Sequence, residues 1–136
     1  MKRKAHLAVV VAAAAVVVSA IAVSQVSTVL QSARAKTTAT RMRAISAVLQ
    51  AKRVERLPLE GIEAYLSKEG LGGYERDGWG YLIDVAVEVD AAGVPHYRIR
   101  SLGRDGVPGS CCQRFIGKEW DLDGVLLDDE WLQSWF

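Results

Sequence analysis

The chain has 136 residues, which is enough for one globular domain and too few for two of ordinary size. Its 50% hydrophobic and 24% charged residues are typical of globular proteins and exclude wholesale disorder and collagen-like repeats. Residues 1–56 carry ten Lys or Arg and one acid, a net charge of +9, whereas residues 57–136 carry seven bases and fifteen acids, a net charge of −8. An acidic globular part on a basic stem argues against nucleic-acid binding and is typical of a membrane-proximal stem.

The N-terminal segment has the composition of a membrane-targeting sequence. Three basic residues at positions 2–4 precede a run over residues 7–23 in which only one residue is polar. Two interpretations are open, a cleaved secretory signal and a retained membrane anchor. No Gly or Pro occurs before Pro58, so nothing stops a helix from residue 7 to about residue 56. We therefore favour a retained single-pass anchor over residues 1–30, with its basic N-terminus in the cytoplasm and the rest of the chain outside.

The stem that follows has an amphipathic pattern. Its apolar residues recur every three or four positions; they are Val26, Val29, Leu30, Ala33, Met42, Ile45, Val48 and Leu49. The half from Met42 to Leu49 is expected to pack on its own domain. The earlier half has no domain beside it, so lipid or a partner helix must cover it.

The rest of the chain predicts a small α+β head. A second short helix is expected over residues 59–69, after Pro58 and before Gly70. Alternating apolar residues predict four strands; they are placed at residues 81–89, 95–102, 125–127 and 131–136. The turn at residues 90–93 joins the first two as an antiparallel hairpin.

Several short strings in the chain are typical of one protein family. They are Leu57-Pro58, Gly61-Ile62-Glu63-Ala64-Tyr65-Leu66, Asp77-Gly78-Trp79-Gly80-Tyr81, Tyr97-Arg98-Ile99-Arg100-Ser101-Leu102-Gly103-Arg104-Asp105-Gly106 and Asp121-Leu122-Asp123. With the order of elements, they resemble the major pseudopilin of type II secretion, general secretion pathway protein G, over about residues 26–130. The most specific part is Asp-x-Trp-Gly at residues 77–80, followed by Ser-Leu-Gly-x-Asp-Gly at residues 101–106.

The resemblance implies a pilin-like α+β fold, in which a long N-terminal helix packs on a small antiparallel sheet that carries a calcium-binding loop. It implies a stem helix and head over residues 31–136. It also implies a structural subunit of a secretion assembly, not an enzyme. Such a subunit sits in the inner membrane with its head in the periplasm, and it associates through the N-terminal helix with copies of itself or with other pseudopilins. Neither a nucleic acid nor a small-molecule substrate is implied.

The chain departs from that family at two places. Family members carry a leader that ends in Gly and a Glu at the fifth mature position, whereas here the first glycine is Gly61 and the first acid is Glu55, so the N-terminus is atypical. Gly78 stands where the family usually has Pro. A second interpretation is therefore kept: a non-filamentous envelope binding module with a pseudopilin-like head, whose contact surface is the hairpin or the Trp-rich C-terminus.

The candidate calcium site lies in the last third of the chain. Calcium needs roughly six to eight oxygen ligands, which a tightly turned acidic loop can supply. The resemblance assigns as Ca²⁺ ligands the carboxylates of Asp105, Asp121 and Asp123 and the carbonyls of Leu102 and Val107, with Asp128 and Asp129 as substitutes. Composition alone also allows these acids to be ordinary solvated turn formers.

Other reactive residues give weaker signals. Cys111 and Cys112 are adjacent and predict no disulfide framework, and with His6 and His96 as the only histidines a zinc site is not supported. His96 is the one candidate base outside the N-terminal membrane-targeting segment, so an enzymatic role is not expected. The late tryptophans are expected to pack in the core and at its edge; they are Trp120, Trp131 and Trp135.

Overall fold

A computed structural model describes residues 2–108, 124–128 and 130–131. The chain divides into two compact units, Met1–Ser32 and Ala33–Phe136. Several residues that the sequence singles out lie outside the described residues; they are Cys111, Cys112, Trp120, Asp121, Asp123, Asp129 and Trp135.

Helix α1 spans Lys2–Lys52 and confirms the predicted long helix, although it ends earlier than expected. At its end Arg53 adopts a left-handed φ of 48°. The N–H groups of Arg53 and Val54 donate to the carbonyls of Gln50 and Leu49, both at 3.1 Å. This pattern of bonds is a Schellman turn, which satisfies the last carbonyls of a helix and stops it without a proline.

The first unit consists of the apolar part of α1. None of the residues in its most apolar 18-residue window is buried, and the mean hydropathy there is 2.7. Length and composition make this helix compatible with a transmembrane anchor, and a signal sequence has the same properties.

The head begins with a short helix, α2, at Ile62–Lys68. It ends in a second Schellman turn, in which Gly70 has a φ of 78° and the Leu71 N–H donates to the Leu66 carbonyl at 2.8 Å. The glycine predicted to end this helix is thus confirmed, because a left-handed conformation carries no steric cost there.

Four strands form one antiparallel sheet in the order β1-β2-β3-β4. They are β1 at Asp84–Val89, β2 at Pro95–Ser101, β3 at Gly124–Leu127 and β4 at Glu130–Trp131. The predicted hairpin of β1 and β2 is confirmed, but β1 begins three residues late. The reason is local: the Tyr81 carbonyl accepts the Asp77 N–H, and the Ile83 N–H donates to the Glu75 carbonyl. Beyond Trp131 the fourth predicted strand lies outside the described residues.

One face of the sheet packs with the second half of α1. Ala35, Met42, Ile45 and Leu49 are buried on one stripe of the helix, which confirms the amphipathic prediction for this half. They share a core with sheet and α2 residues; the buried ones are Leu66, Ile83, Tyr97, Ile99 and Leu126. Trp131 is half-buried against this core, as expected.

Candidate functional site

The two most specific strings of the sequence, residues 77–80 and 101–106, are in contact with each other. The Asp77 side chain is 2% exposed, and Ser101 is fully buried. The Ser101 hydroxyl donates to Asp77 Oδ2 at 2.7 Å, while the N–H groups of Trp79 and Tyr81 donate to Oδ1, both at 2.9 Å. We call residues 77–81 and 101–106 the loop junction. Its buried carboxylate accepts three hydrogen bonds, as a buried anion requires.

A glycine fixes the loop junction to the stem helix. The Gly78 N–H donates to Thr38 Oγ1 at 2.8 Å, and that hydroxyl donates onward to the Arg34 carbonyl at 2.8 Å. A Cβ on Gly78 would overlap the backbone of Arg34. Only a glycine allows this approach, because a Cβ would need the space that the Arg34 backbone occupies.

Two further contacts hold the loop junction together. Gly106 has a φ of 66° and lies so close to the Tyr81 ring that a Cβ would overlap it. The Arg41 guanidinium donates to the Arg76 carbonyl at 2.7 Å and more weakly to the Asp77 carbonyl at 3.4 Å. The positively charged Arg41 side chain therefore lies beside the loop that carries the buried carboxylate.

The loop assigned to calcium begins directly after Ser101. Leu102 is half-buried, whereas Asp105 and Val107 are exposed. Asp105 Oδ1 accepts the Val107 N–H at 3.0 Å, a tight acidic turn of the predicted kind. Within the described residues no three acidic, histidine or cysteine side chains are grouped to hold a metal ion. Asp121 and Asp123 lie outside that part of the chain.

Asp128 belongs to a different place. It lies in the β3–β4 turn, where its Oδ1 accepts the Tyr97 N–H at 2.8 Å. Tyr97 and Ser101 are four residues apart on β2, about 14 Å at strand spacing. Asp128 is therefore at the far end of β2 from Asp105 and does not belong to the proposed calcium site.

Asp128 instead joins a histidine cluster, which we define as Asp90, His96 and Asp128. His96 Nε2 lies 2.9 Å from Asp90 Oδ2, and His96 Nδ1 lies 2.6 Å from Asp128 Oδ2. The hydrogen bonds to Asp90 and then to Asp128 raise the pKa of His96. The His96 hydrogen bond is the largest cause that lowers the pKa of Asp90. Burial raises the pKa of Asp128, but hydrogen bonds from His96 and the Tyr97 N–H outweigh it and leave the pKa lowered.

Sequence reasoning missed the loop junction and the histidine cluster as units. Asp77 and Ser101 stood out only as members of two strings, and His96 only as a candidate base. One signal was present: Asp90 and His96 flank the predicted hairpin turn, so their side chains are near neighbours across it.

The chain matches no protein-family model, no curated protein and no solved structure. The geometry of the loop junction and of the acidic loop is therefore what bears on function.

Proposed function

We propose that the protein is a structural, pseudopilin-like subunit of a type II secretion or related type IV pilus-like assembly. In this proposal α1 anchors the chain in the inner membrane with its N-terminus in the cytoplasm. The head stands in the periplasm and is stabilised by calcium. Copies of the chain, or other pseudopilins, associate through the N-terminal helix, and the role is assembly, not catalysis.

The observation that carries the proposal is the hydrogen bond between Asp77 and Ser101. These residues belong to the two strings that most resemble the pseudopilin family, and they lie 24 positions apart. The resemblance places both strings in one head, and a buried contact between them is consistent with that arrangement. The packing of Gly106 on Tyr81 joins the same two strings a second time.

The apolar part of α1 supports membrane anchoring and association. Its large apolar side chains between Leu7 and Leu30 are 46–69% exposed, so the described protein itself does not cover them. Water is a poor environment for such a continuous apolar surface, which lipid or neighbouring helices would cover.

The acidic loop supports a calcium-stabilised head. Gly103 and Gly106 have φ values of 69° and 66°, which turn the chain tightly around Asp105. Gly124, which follows Asp123 in the sequence, pairs with Ser101 at the start of this loop. Asp105, Asp121 and Asp123 with the carbonyls of Leu102 and Val107 would hold the ion. Bound calcium would supply the positive charge that holds these oxygens together.

Calcium binding is tested by melting the full chain in detergent micelles with calcium or with a chelator. A ligand at a hundred times its dissociation constant stabilises the folded form by about 2.7 kcal/mol. For a head of about a hundred residues this raises Tm by about 10 °C. Asp105→Asn should abolish the rise, whereas Asp84→Asn, an exposed acid of β1, should retain it. No rise in the parent would remove calcium from the proposal.

Association is tested separately by amine cross-linking of the full chain in membranes. Head-to-tail packing of helices produces a ladder of trimers and larger species, whereas a closed two-fold contact stops at dimers. The same chain diluted in excess detergent micelles is the control and should stay monomeric. Monomers alone, or dimers alone, in the membrane would contradict a filament subunit.

The second candidate is a non-filamentous, membrane-anchored or exported envelope binding module with the same head. The observation that favours it is at the hairpin end, where Val89 and Val94 are 46% and 42% exposed on either side of the turn. Exposed apolar side chains at a strand end offer a partner protein apolar surface to bury. A calcium response without a cross-linked ladder would favour this candidate.

A further inference from the structure

The histidine cluster joins two turns that are distant in the sequence. Asp90 opens the β1–β2 turn, and its Oδ1 also accepts the N–H groups of Ala92 and Val94, both at 2.9 Å. Asp128 stands in the β3–β4 turn with a φ of 46°, and its own N–H donates to the Tyr97 carbonyl at 3.0 Å. Both carboxylates are therefore held by backbone groups, independently of the imidazole between them.

The two contacts of the imidazole require two protons. An ionised carboxylate is only an acceptor, so each ring nitrogen must donate a proton to the carboxylate that faces it. A neutral imidazole has one N–H, and its other nitrogen would face a carboxylate with a lone pair. The nitrogens point to opposite sides of the ring, so a single metal ion could not contact both and replace the two protons.

We propose that His96 is a proton-controlled bridge between the β1–β2 turn and the β3–β4 turn. The bridge is complete when the imidazole carries both protons. When it loses one, the contact with Asp90 or with Asp128 breaks, and the end of the sheet that they connect loosens. This device goes beyond the proposed assembly role and does not depend on it.

Other charged groups face the same side of the sheet. Glu88 is the register partner of His96 on β1, and Arg98 follows two positions along β2. Glu130 opens β4 next to the turn of Asp128. Asp84 and Arg100 form a further register pair on this side. Among the described residues none of these charged groups is hydrogen-bonded to the His96 ring, which contacts Asp90 and Asp128.

The pH range of the bridge follows from the directions of the shifts. The pKa of His96 is raised, so its stabilising contribution is complete below its ordinary value of about 6.5 and is lost as pH rises through the folded-state pKa. The pKa values of Asp90 and Asp128 are lowered, so their contribution is complete above about 3.8 and is lost as pH falls through the folded-state values. The bridge is thus complete between about pH 4 and pH 6.5 and opens above that range.

The test is a proton-NMR titration of the full chain in detergent micelles, with His6→Gln in every sample so that one imidazole signal remains. The His96 midpoint should lie above 6.5 in the parent, and the amide signals of Tyr97 and Val94 should shift with the same midpoint. Asp90→Asn and Asp128→Asn should each lower the His96 midpoint, whereas Asp84→Asn should leave it unchanged. His96→Gln should abolish the shifts of both amides in this pH range.

A parent midpoint at or below 6.5 would overturn the proposal. So would a midpoint that is unchanged in either carboxylate variant, or amide shifts that persist in His96→Gln. Asn accepts the left-handed conformation of residue 128 and can still receive the Tyr97 N–H, so Asp128→Asn should retain the fold.

Discussion

The loop junction and the histidine cluster both use aspartates to hold turns, but in opposite environments. Asp77 is 2% exposed, and its hydrogen-bond donors are a hydroxyl and backbone N–H groups. The side chains of Asp90 and Asp128 are about 40% exposed, and they share an imidazole. The loop junction therefore contributes stability, and the histidine cluster responds to pH.

Water explains the difference. A buried carboxylate that loses its partners cannot be hydrated, so removing a member of the loop junction leaves polar groups unsatisfied. An exposed carboxylate is hydrated when its partner leaves, so breaking one contact of the histidine cluster costs little. The imidazole there is the group whose protonation changes near neutral pH.

The largest effect is expected for Asp77→Ala. This change removes three hydrogen bonds to a buried carboxylate and leaves the Ser101 O–H and the Trp79 and Tyr81 N–H groups without this acceptor. Each bond to a charged group contributes roughly 1.5–3 kcal/mol, and the losses are not additive, so we expect a loss of about 4 kcal/mol in the free energy of unfolding. Denaturant unfolding of the head, followed by tryptophan fluorescence, measures this loss.

Asp84→Ala is the matched control, because the same side chain is removed from an exposed strand position. Its cost should stay within about 0.5 kcal/mol. If Asp77→Ala lowered the free energy of unfolding by less than about 1 kcal/mol, the loop junction would contribute no more stability than the histidine cluster. The contrast between the two regions would then fail.

The second prediction concerns the contact between the loop junction and the stem helix. In Gly78→Ala the added methyl group overlaps the Arg34 backbone, which cannot move without disturbing α1. We expect a loss of about 2 kcal/mol, in the range of overpacked sites. Gly72→Ala is the control, because Gly72 has open space around it and no left-handed φ. Equal stability of the two variants would show that the loop does not depend on this close approach.

Local sequence patterns predicted most of the fold. The apolar stripe from Met42 to Leu49 predicted the buried face of α1, and the turn at residues 90–93 predicted the β1–β2 hairpin. The early end of α1 was not predictable, because an arginine, Arg53, takes the left-handed position where a glycine is usual. The late start of β1 arises from pairing of residues 81–83 with residues 75–77, which an alternating pattern does not reveal.

The candidate site was less predictable for a related reason. The turn at Asp105 follows from neighbouring glycines, which a sequence displays directly. The Asp77–Ser101 bond joins residues 24 positions apart, and the His96–Asp128 bond joins residues 32 positions apart. Such pairs depend on how strands are placed in the sheet, which no local pattern determines.

The smallest expected effect distinguishes the histidine cluster from the loop junction. In the parent, the contribution of the histidine cluster is present at pH 5.5 and declines by pH 8, because the raised pKa of His96 means that its stabilisation is lost as pH rises. In Asp128→Asn the amide NH₂ can donate to the unprotonated Nδ1, while Nε2–H still donates to Asp90. The neutral imidazole then has a partner at each nitrogen.

Thermal melts at pH 5.5 and pH 8 should therefore show a smaller fall in Tm for Asp128→Asn than for the parent. His96→Gln, which has no titrating ring, should lower Tm at pH 5.5 and have little effect at pH 8. A parent whose Tm falls between these pH values by the same amount as that of both variants would assign the fall to other groups. The histidine cluster would then give the head no pH response.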